Sequence, residues 1–335
     1  MEKTDNIKLT YCDLGVAYQC NFQCKMCKFW ENSPLNQNNV LSIEQWRDVL
    51  EQLSALVDKK NCIINLSGPG EPLLRNNILD LIKHGVDLGL KIQIISNGFC
   101  LNNQIAADIA ASKLKFISFS LDSLNPETHN YLRGKDNAFE HVMQAIDNIA
   151  LICPDICIGI NTVISKVNLN EIIELTQWVQ NDKRLAYINF QAIAQPFSYD
   201  QAENVEWFKQ LEYKELWPDD KKAIEQVIDQ LIEFKQKGYK LADGIVQFEV
   251  FKQYFLDPLT FIKKTKCNVA KAGILNIDPV GNIAKCQMIG IIDNIKNGKT
   301  LKQICLSEKA EEHTALINNC QRNCHLVVSC HFDNE

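Results

Sequence analysis

The segment LTYCDLGVAYQCNFQCKMC, residues 9–27, decides the fold because it places three cysteines directly behind an apolar run. The run from Leu9 to Ala17 is typical of a short β-strand, and Cys20, Cys24 and Cys27 follow it on one loop. Three thiolates can hold three irons of a [4Fe–4S] cluster and leave the fourth iron open, because such clusters normally take four cysteines. A zinc site or structural thiols are the alternative. Zinc sites usually pair C-x-x-C knuckles and close with a fourth ligand, and none follows near Cys27.

The composition is that of an ordinary globular protein with cysteines suited to metal or redox chemistry. Its 335 residues, 46% hydrophobic and 23% charged, suffice for one large domain and a smaller one. We expect a cytoplasmic protein without membrane contact, because no stretch approaches the roughly 20 apolar residues that span a bilayer and the N-terminus lacks a signal-peptide core. Fourteen cysteines in the cytosol favour metal or redox roles over disulfides. A net charge of −6 argues against a nucleic-acid partner, which requires a basic face.

Short β-branched runs alternate with amphipathic helical patterns between residues 9 and 196. A Ser42-x-x-Gln45 capping box, for example, opens one of the helical patterns. Strands that are separated by a helix each time form a parallel sheet with right-handed crossovers, and six such units are too few to close an eight-stranded barrel. The candidate strands are Leu9–Ala17, Cys62–Ser67, Lys91–Ser96, Phe116–Leu121, Ile156–Ile164 and Leu185–Ala192.

Polar residues and glycines mark the ends of three of these strands, where barrel enzymes place their sites. Residues 67–72, Ser-Gly-Pro-Gly-Glu-Pro, follow the second strand, and ordinary turn chemistry explains them as well as a ligand-binding loop does. Ser96-Asn97 breaks the third apolar run and can cap a turn or bind a ligand. Ser118 and Ser120 alternate along the fourth strand and are expected to face inward, because helices cover the outer side of such a barrel.

The cysteine loop behind a first strand resembles the signature of the radical S-adenosylmethionine (SAM) superfamily. The resemblance implies an α/β fold, a partial (β/α)6 TIM-like barrel, in which the open iron binds the amino and carboxylate groups of SAM. It also implies reductive cleavage of SAM to a 5′-deoxyadenosyl radical. The family usually has an aromatic residue before the third cysteine. Here that residue is Met26, so the contact to adenine falls to backbone or to Phe29 and Trp30.

The same resemblance assigns the polar strand ends to SAM. Residues 67–72 resemble the family's Gly-Gly-Glu-Pro motif, which binds the SAM amino group, and residues 96–97 occupy the position that serves the ribose. In the segment Asn125–Gly134, the arginine before glycine and a serine on the preceding strand meet the SAM carboxylate in the family, which suits a guanidinium fork. The implied SAM-binding residues are Gly68, Gly70, Glu71, Ser96, Asn97, Ser120 and Arg133, with Asn161 and Gln191 as buried-strand polar residues facing the same cavity.

A second group of cysteines lies near the C-terminus. Two short strand runs joined by Asp278-Pro-Val-Gly281 read as a hairpin that brings Cys267 and Cys286 towards one end. This tail resembles the SPASM and twitch domains that follow many radical SAM barrels. It has too few cysteines for two clusters, so the resemblance implies a small α+β domain with one auxiliary [4Fe–4S] cluster. The implied ligands are Cys267, Cys286, Cys320 and Cys324, with Cys330 a rival for the last place.

The remaining cysteines have simpler expected roles. Cys305 lies in a helical-looking stretch over residues 301–311, where burial is expected. Cys100, after the Ser-Asn-Gly turn, is a candidate hydrogen donor, with burial as the alternative. The cysteines expected to be small core residues are Cys12, Cys62, Cys153 and Cys157.

Together these features predict three regions: a barrel over residues 1–196, a helical connector over 197–243 and a cluster-binding domain over 244–335. The resemblance implies a radical SAM oxidoreductase acting on a small molecule or short peptide, with a flavodoxin or ferredoxin as electron donor. The auxiliary cluster is expected to assist oxidation or substrate placement. The alternatives are a radical SAM epimerase, a peptide maturase and, from another class, a non-catalytic iron–sulfur electron carrier. A first strand near residue 9 leaves no room for a leader-binding domain, which weakens the maturase alternative.

Overall fold

A computed structural model describes residues 7–32, 39–196, 204–259 and 269–320. Six parallel strands lie side by side in chain order and form the barrel wall. The bounds of β3 and β6 are those predicted, and the other four strands differ by one or two residues at an end. The six strands are β1 (Tyr11–Gly15), β2 (Ile63–Ser67), β3 (Lys91–Ser96), β4 (Phe116–Ser120), β5 (Cys157–Ile164) and β6 (Leu185–Ala192).

Helices separate these strands and cover one face of the sheet. The predicted capping box is present at the first helix, where Ser42 and Gln45 exchange side-chain and backbone hydrogen bonds. None of the described helices is long and apolar enough to cross a membrane. The helices up to β6 are α1 (Ile43–Leu56), α2 (Ile78–Asp87), α3 (Asn103–Ser112), α4 (Pro126–Arg133), α5 (Ala138–Ile152) and α6 (Ile172–Asn181).

The strands separate an apolar outer face from a polar inner one. In β1, Cys12 and Leu14 are fully buried in the core, whereas Tyr11 and Asp13 point to the opposite side and keep some accessible surface. The outer core is dominated by large aliphatic and aromatic side chains such as Trp46 of α1. Because strand side chains alternate, every second residue of β1–β6 faces the barrel interior, as predicted for the serines of β4.

The C-terminal strands continue the barrel sheet at its β1 edge. Strand β7 (Ile274–Ile277) pairs in parallel with β1, and β8 (Asn282–Ala284) and β9 (Asp293–Asn294) follow antiparallel. The predicted hairpin is confirmed: Asp278 Oδ1 accepts from the amides of residues 280 and 282, and Gly281 has a φ of +94°. The partial-barrel fold class is therefore confirmed, with a mixed extension after it, while the three domain boundaries stay predictions.

The connector packs tightly on the barrel. Trp207, Tyr213 and Trp217 are buried and contact one another edge-on. Helices α7 (Lys221–Gln236) and α8 (Ile245–Leu256) follow, and Leu241 between them forms a bridge to Ile188 of β6. This contact covers part of the free edge of β6, which would otherwise expose unpaired backbone groups.

The prediction of one helical stretch over residues 301–311 is wrong in one respect, because the structure has two helices there. After the short α9 (Val269–Ala272), the structure has α10 (Leu301–Cys305) and α11 (Glu308–Asn318). Ser307 ends the continuity, since its side chain accepts from the amide of Ala310 and so caps a new helix. Cys305 is the last residue of α10 and is half-buried against the core, as expected.

Candidate functional site

The three-cysteine loop lies at the carboxyl end of β1 and is held by its own turn. The amide of Cys27 donates to the carbonyl of Cys24 at 3.1 Å. Trp30, in a 3-10 turn over Phe29–Asn32, donates its indole N–H to the carbonyl of Cys27 at 2.8 Å. The three cysteines are half-buried, and Met26 packs against the core. The loop is thus a compact fold that holds its cysteines before any ligand binds.

The end of α4 clamps this loop from one side. The amide of Lys25 donates to the carbonyl of Leu132 at 2.9 Å. Gly134, the C-cap of α4, has a φ of +57°, and a Cβ atom there would overlap the carbonyl oxygen of Gln23. Glycine is required here for both reasons, since it tolerates the left-handed conformation and permits close backbone approach.

The glycine turn after β2 clamps the loop from another side. The amide of Gly70 donates to the carbonyl of Ala17 at 3.0 Å, and the amide of Glu71 donates to the carbonyl of Gln19 at 2.8 Å. A Cβ on Gly68 would lie 2.6 Å from the Ala17 carbonyl oxygen, and a Cβ on Gly70 would overlap Gln19. The glycines therefore allow this turn to pack on the cysteine loop, and their predicted contact with SAM stays a prediction.

Glu71 is buried, at 3% exposure, and its carboxylate is fully engaged by the protein. Oε1 accepts from the Ser96 hydroxyl at 2.9 Å and from the Leu73 amide at 3.1 Å, while Oε2 accepts from the Asn97 amide at 2.8 Å. Burial raises the pKa of Glu71, and these three hydrogen bonds counteract the rise. Glu71 thus ties the end of β3 to the glycine turn. Its predicted contact with the SAM amino group stays a prediction.

We expect Glu71→Gln to lower the free energy of unfolding by about 1–3 kcal/mol, because the new NH₂ group faces the donor of Asn97 or Ser96 and leaves it unpaired. Urea unfolding followed by circular dichroism measures the change. The control is Glu140→Gln on the exposed side of α5, which should change stability by less than about 0.5 kcal/mol. Equal stability of both variants would contradict the clamp role of Glu71.

Asn97 extends this clamp to the cysteine loop. Its Nδ2 donates to Asn21 Oδ1 at 2.8 Å, and its Oδ1 accepts from the Phe99 amide at 3.0 Å. The Ser96 hydroxyl accepts from the amide of Gly98 at 3.0 Å. Sequence reasoning missed Asn21, because a lone asparagine between two cysteines carries no signal of a partner 76 residues away. The predicted ribose contacts of Ser96 and Asn97 stay predictions.

Arg133 lies beside Cys24 in a buried ion pair that the sequence analysis missed. Its Nε lies 2.6 Å from Oδ2 of Asp122, and its Nη2 donates to Oδ1 at 2.9 Å. Asp122 is fully buried and also accepts from the Val163 amide at 3.0 Å. Burial alone lowers the pKa of Arg133, but Asp122 and Cys24 outweigh it and raise that pKa. This ion pair, with one hydrogen bond, fixes the guanidinium beside the cysteine loop.

His129 completes the buried group beneath Arg133. Its Nδ1 accepts from the Asp122 amide at 3.2 Å, and burial lowers the pKa of His129 to about 4. The imidazole is therefore neutral at physiological pH. One signal of this buried group was present in the sequence, namely Asp122, two residues beyond the serine that ends β4. Aspartates at such positions often accept hydrogen bonds from neighbouring backbone.

The cysteine set fits a [4Fe–4S] cluster. Among residues 7–32, 39–196, 204–259 and 269–320, no three His, Cys, Asp or Glu side chains are close enough to bind a single metal ion. A cubane binds each cysteine through a separate iron and so accepts wider spacing. Backbone amides at residues 21 and 22 lie near the sulfur of Cys20, and those at 29 and 30 lie near the sulfur of Cys27, where they favour the thiolates. Hydrogen bonds to cysteine sulfurs are one way in which proteins tune such clusters.

Burial governs the thiols of this loop. It raises the pKa of Cys20 to about 11 and that of Cys24 to about 12, with Arg133 opposing the rise at Cys24. Burial also raises the pKa of Cys27, and its amide donors oppose this rise. Raised pKa values disfavour the thiolates while no metal is bound, so these cysteines are poor free nucleophiles.

The inner face of β4–β6 carries further polar residues of the predicted set. Ser120, Asn161 and Asn189 lie in register across these three strands. Asn189 was not predicted, although its position two residues before Gln191 gave the signal of an inward-facing side chain. The burial expected for Gln191 is wrong, because it is exposed near the end of β6. Contact of Ser120, Asn161 and Gln191 with SAM stays a prediction.

A second inner group seals the barrel around Tyr187 of β6. Its hydroxyl lies 2.8 Å from that of Ser118, and Gln93 Nε2 donates to Ser118 Oγ at 3.1 Å and to Tyr187 at 3.3 Å. Tyr187 reaches across β5 because residue 159 is glycine, where a Cβ would overlap its ring. The inward orientation predicted for Ser118 is thereby confirmed.

The remaining cysteines divide as expected where the structure describes them. Cys12, Cys62 and Cys153 are buried, and Cys157 is half-buried. Cys100 is also half-buried, and burial together with the charge of Glu71 raises its pKa. Its role as a hydrogen donor stays a prediction.

Two predicted ligands of the auxiliary cluster, Cys286 and Cys320, belong to the described residues. Cys286 is buried with Val269 and Ile317 in a small apolar cluster. Because Ile317 belongs to α11, this cluster places the end of α11 beside the hairpin, and the amide of Cys320 donates to the carbonyl of Ile317 at 3.1 Å. Cys267, Cys324 and Cys330 lie outside the described residues.

A sequence profile of the Radical SAM superfamily matches residues 15–179. An AdoMet-dependent heme synthase of Methanosarcina barkeri is 30% identical over 168 residues, covering 50% of this chain and 46% of the relative. A GTP 3′,8-cyclase of Helicobacter pylori is 30% identical over 189 residues, covering 55% of this chain and 57% of the relative. The chain thus spans about half the length of the curated relatives it matches.

Solved structures show the same fold at low sequence identity. SuiB of Streptococcus suis bound to S-adenosylmethionine superposes with a TM-score of 0.65 at 16% identity, covering 97% of this chain and 70% of that one. The structure of anSMEcpe with bound AdoMet and a Cp18Cys peptide superposes with a TM-score of 0.63 at 17% identity. The match covers 97% of this chain and 88% of that one. Residues 15–179 of the chain therefore form a radical SAM domain.

Proposed function

We propose that this protein is a radical SAM oxidoreductase that cleaves SAM reductively and abstracts a hydrogen atom from a small molecule or a short peptide. The observation that carries the proposal is the cysteine loop, which the glycine turn, the end of β3 and the end of α4 hold at the carboxyl end of the barrel. The cluster, when bound, supplies the electron that cleaves SAM. Cys20, Cys24 and Cys27 would hold it.

The charges around the loop support a binding site for the methionine part of SAM. Arg133 lies between Asp122 and Cys24, so its guanidinium places a positive charge beside the loop, which suits the binding of a carboxylate. Ser120 ends β4 on the inner face, and Asn161 lies in register with it. Gly68 and Gly70 let the backbone of their turn pack directly on the cysteine loop.

The substrate class rests on chemistry shared by relatives of several kinds. The mycofactocin maturase MftC of Mycolicibacterium smegmatis is 27% identical over 135 residues, and one structure is of SuiB bound to the precursor peptide SuiA. Other relatives are named as a heme synthase and a nucleotide dehydratase. A short peptide and a small molecule are therefore both retained. An external flavodoxin or ferredoxin is the proposed electron donor.

An epimerase is the second candidate, and one observation favours it. Cys100 follows the turn that Glu71 and Asn97 tie to the cysteine loop, and it keeps some accessible surface. A thiol there could return a hydrogen atom to a substrate radical. The electron-carrier alternative is disfavoured, because a carrier has no need for the clamps and the buried guanidinium beside the loop.

The proposal is tested by SAM cleavage without substrate, with two glycine variants. Reduced, anaerobically reconstituted wild type should form 5′-deoxyadenosine, measured by liquid chromatography and mass spectrometry. Gly134→Ala should lose most of it, because the methyl group pushes Gln23 out of the loop. Gly238→Ala is the matched control: its φ is +77°, so it shares the cost of about 1–2 kcal/mol for a left-handed alanine, but nothing lies within 4 Å.

The outcomes separate the two claims. No 5′-deoxyadenosine from iron-loaded wild type would overturn the proposed function. Equal cleavage by both glycine variants would leave the function standing and contradict the role given to the end of α4.

A further inference from the structure

A row of four polar side chains crosses the barrel interior below the cysteine loop. Register places Asn276 of β7 beside Asp13 of β1, Asp13 beside Asn65 of β2, and Asn65 beside Gln93 of β3. We call these four residues the polar row. Side chains in register on adjacent parallel strands share a face, so the row lines one level of the wall.

Asp13 is the only acidic residue on strands β1–β6. Its Oδ1 accepts from Asn65 Nδ2 at 2.8 Å and from the Ser67 hydroxyl at 2.6 Å. Among the described residues, no lysine or arginine pairs with it, and Oδ2 receives no hydrogen bond. Burial raises the pKa of Asp13, which these neutral donors only partly oppose. A buried carboxylate without a cation is costly, so such groups often mark sites that a ligand completes.

The hydrogen-bond balance of the polar row points to a ligand that brings donors. The amide of Asn276 donates to the carbonyl of Lys285 at 3.1 Å, and that of Gln93 donates to Ser118 and Tyr187. The donors of the row are thus committed. Asn65 is 2% exposed, and its Oδ1 has no partner among the described residues. Oδ2 of Asp13 and Oδ1 of Asn65 are therefore among the acceptors of the row without a donor, and the first of them bears charge.

The position of Asp13 suits a substrate that extends from the SAM site. Its partner Ser67 is the last residue of β2, directly before the glycine turn that packs on the cysteine loop. Asp13 therefore lies one inward-facing level below that turn. Its accessible surface faces the barrel, because its strand neighbours Cys12 and Leu14 are fully buried on the other side.

We propose that Asp13, with Asn65 beside it, binds a cationic group of the substrate, an ammonium or a guanidinium, inside the barrel. This inference rests on the proposed function, since it names the class of substrate that the same site takes. A cation with N–H donors satisfies the open oxygen of Asp13 and neutralises its buried carboxylate.

The test uses iron-loaded, SAM-bound protein and three probes of similar size: butylammonium, butylguanidinium and neutral 1-butanol. Ligand-observed nuclear magnetic resonance titrations give the dissociation constants. Wild type should bind at least one cation about ten-fold more tightly than 1-butanol, and Asp13→Asn should abolish this preference. Asp136→Asn, at an exposed position, is the control and should keep it.

The variant retains an acceptor for Asn65 and Ser67, so its iron content and thermal midpoint should match wild type. Asp13→Ser replaces it if Asp13→Asn does not fold. No preference for a cation in wild type, or the same preference in both Asp13 variants, overturns the inference. Because the titration does not depend on SAM cleavage, a wild type that cleaves SAM yet ignores cations refutes only this inference, whereas one that cleaves no SAM refutes the proposed function.

Discussion

Replacing Cys20, Cys24 and Cys27 together by alanine is expected to remove about half of the iron and to bring SAM cleavage below detection. Two cubanes correspond to about eight irons per chain in the wild type, and the variant should keep about four. The three thiols hold the cluster that supplies the cleaving electron, and the clamps on their loop offer no replacement ligand. Iron is measured by colorimetric assay after anaerobic reconstitution, and 5′-deoxyadenosine by mass spectrometry.

Cys157→Ala is the matched control for this result. Cys157 is half-buried at the amino end of β5, the opposite end of the barrel from the cysteine loop. The same substitution there should leave the iron content and SAM cleavage near the wild-type values. Full iron or continued cleavage in the triple variant would refute the assignment of the cluster to this loop.

Much of the fold could be predicted from the sequence because local pattern and global structure agree. Strands β3 and β6 have the predicted bounds, since β3 is an isoleucine-rich run that ends at Ser96 and β6 alternates apolar and polar residues up to Ala192. The capping box of α1 is equally local. The break between α10 and α11 was missed, because a serine in a helical pattern does not by itself show a helix start. Ser307 caps α11 because its side chain accepts from the amide of Ala310.

The site was harder to predict, because a polar residue at a strand end can serve a ligand or a neighbouring loop. Glu71 was assigned to SAM, yet its carboxylate binds three groups of the protein. Asp122 and Asn21 were missed, since their partners lie far away in sequence. Only the folded chain shows that residues assigned to SAM also hold the cysteine loop, so their variants must be judged by stability as well as by affinity.

The auxiliary cysteines can be separated from the SAM-cleaving loop by iron content. Cys286→Ala should lower the iron from about eight to about four per chain, while uncoupled formation of 5′-deoxyadenosine persists. Cys286 is buried in an apolar cluster with Ile317 of α11, near Cys320 in the chain, so we assign its thiol to the proposed auxiliary cluster. Cys305→Ala is the control, because Cys305 ends α10 and packs on the core. The iron content of this variant should stay at the wild-type level.

Folding must be compared first, since iron ligation can also stabilise a small region of the chain. Circular dichroism and the thermal midpoint of each variant serve this purpose. In a folded Cys286→Ala protein, loss of both iron and SAM cleavage would show that the two cysteine groups do not act independently. Full iron in that variant would refute Cys286 as a ligand and leave Cys267, Cys320, Cys324 and Cys330 as the remaining thiols. Half the iron with cleavage preserved would support a division in which the first loop generates the radical and the C-terminal cysteines serve the substrate.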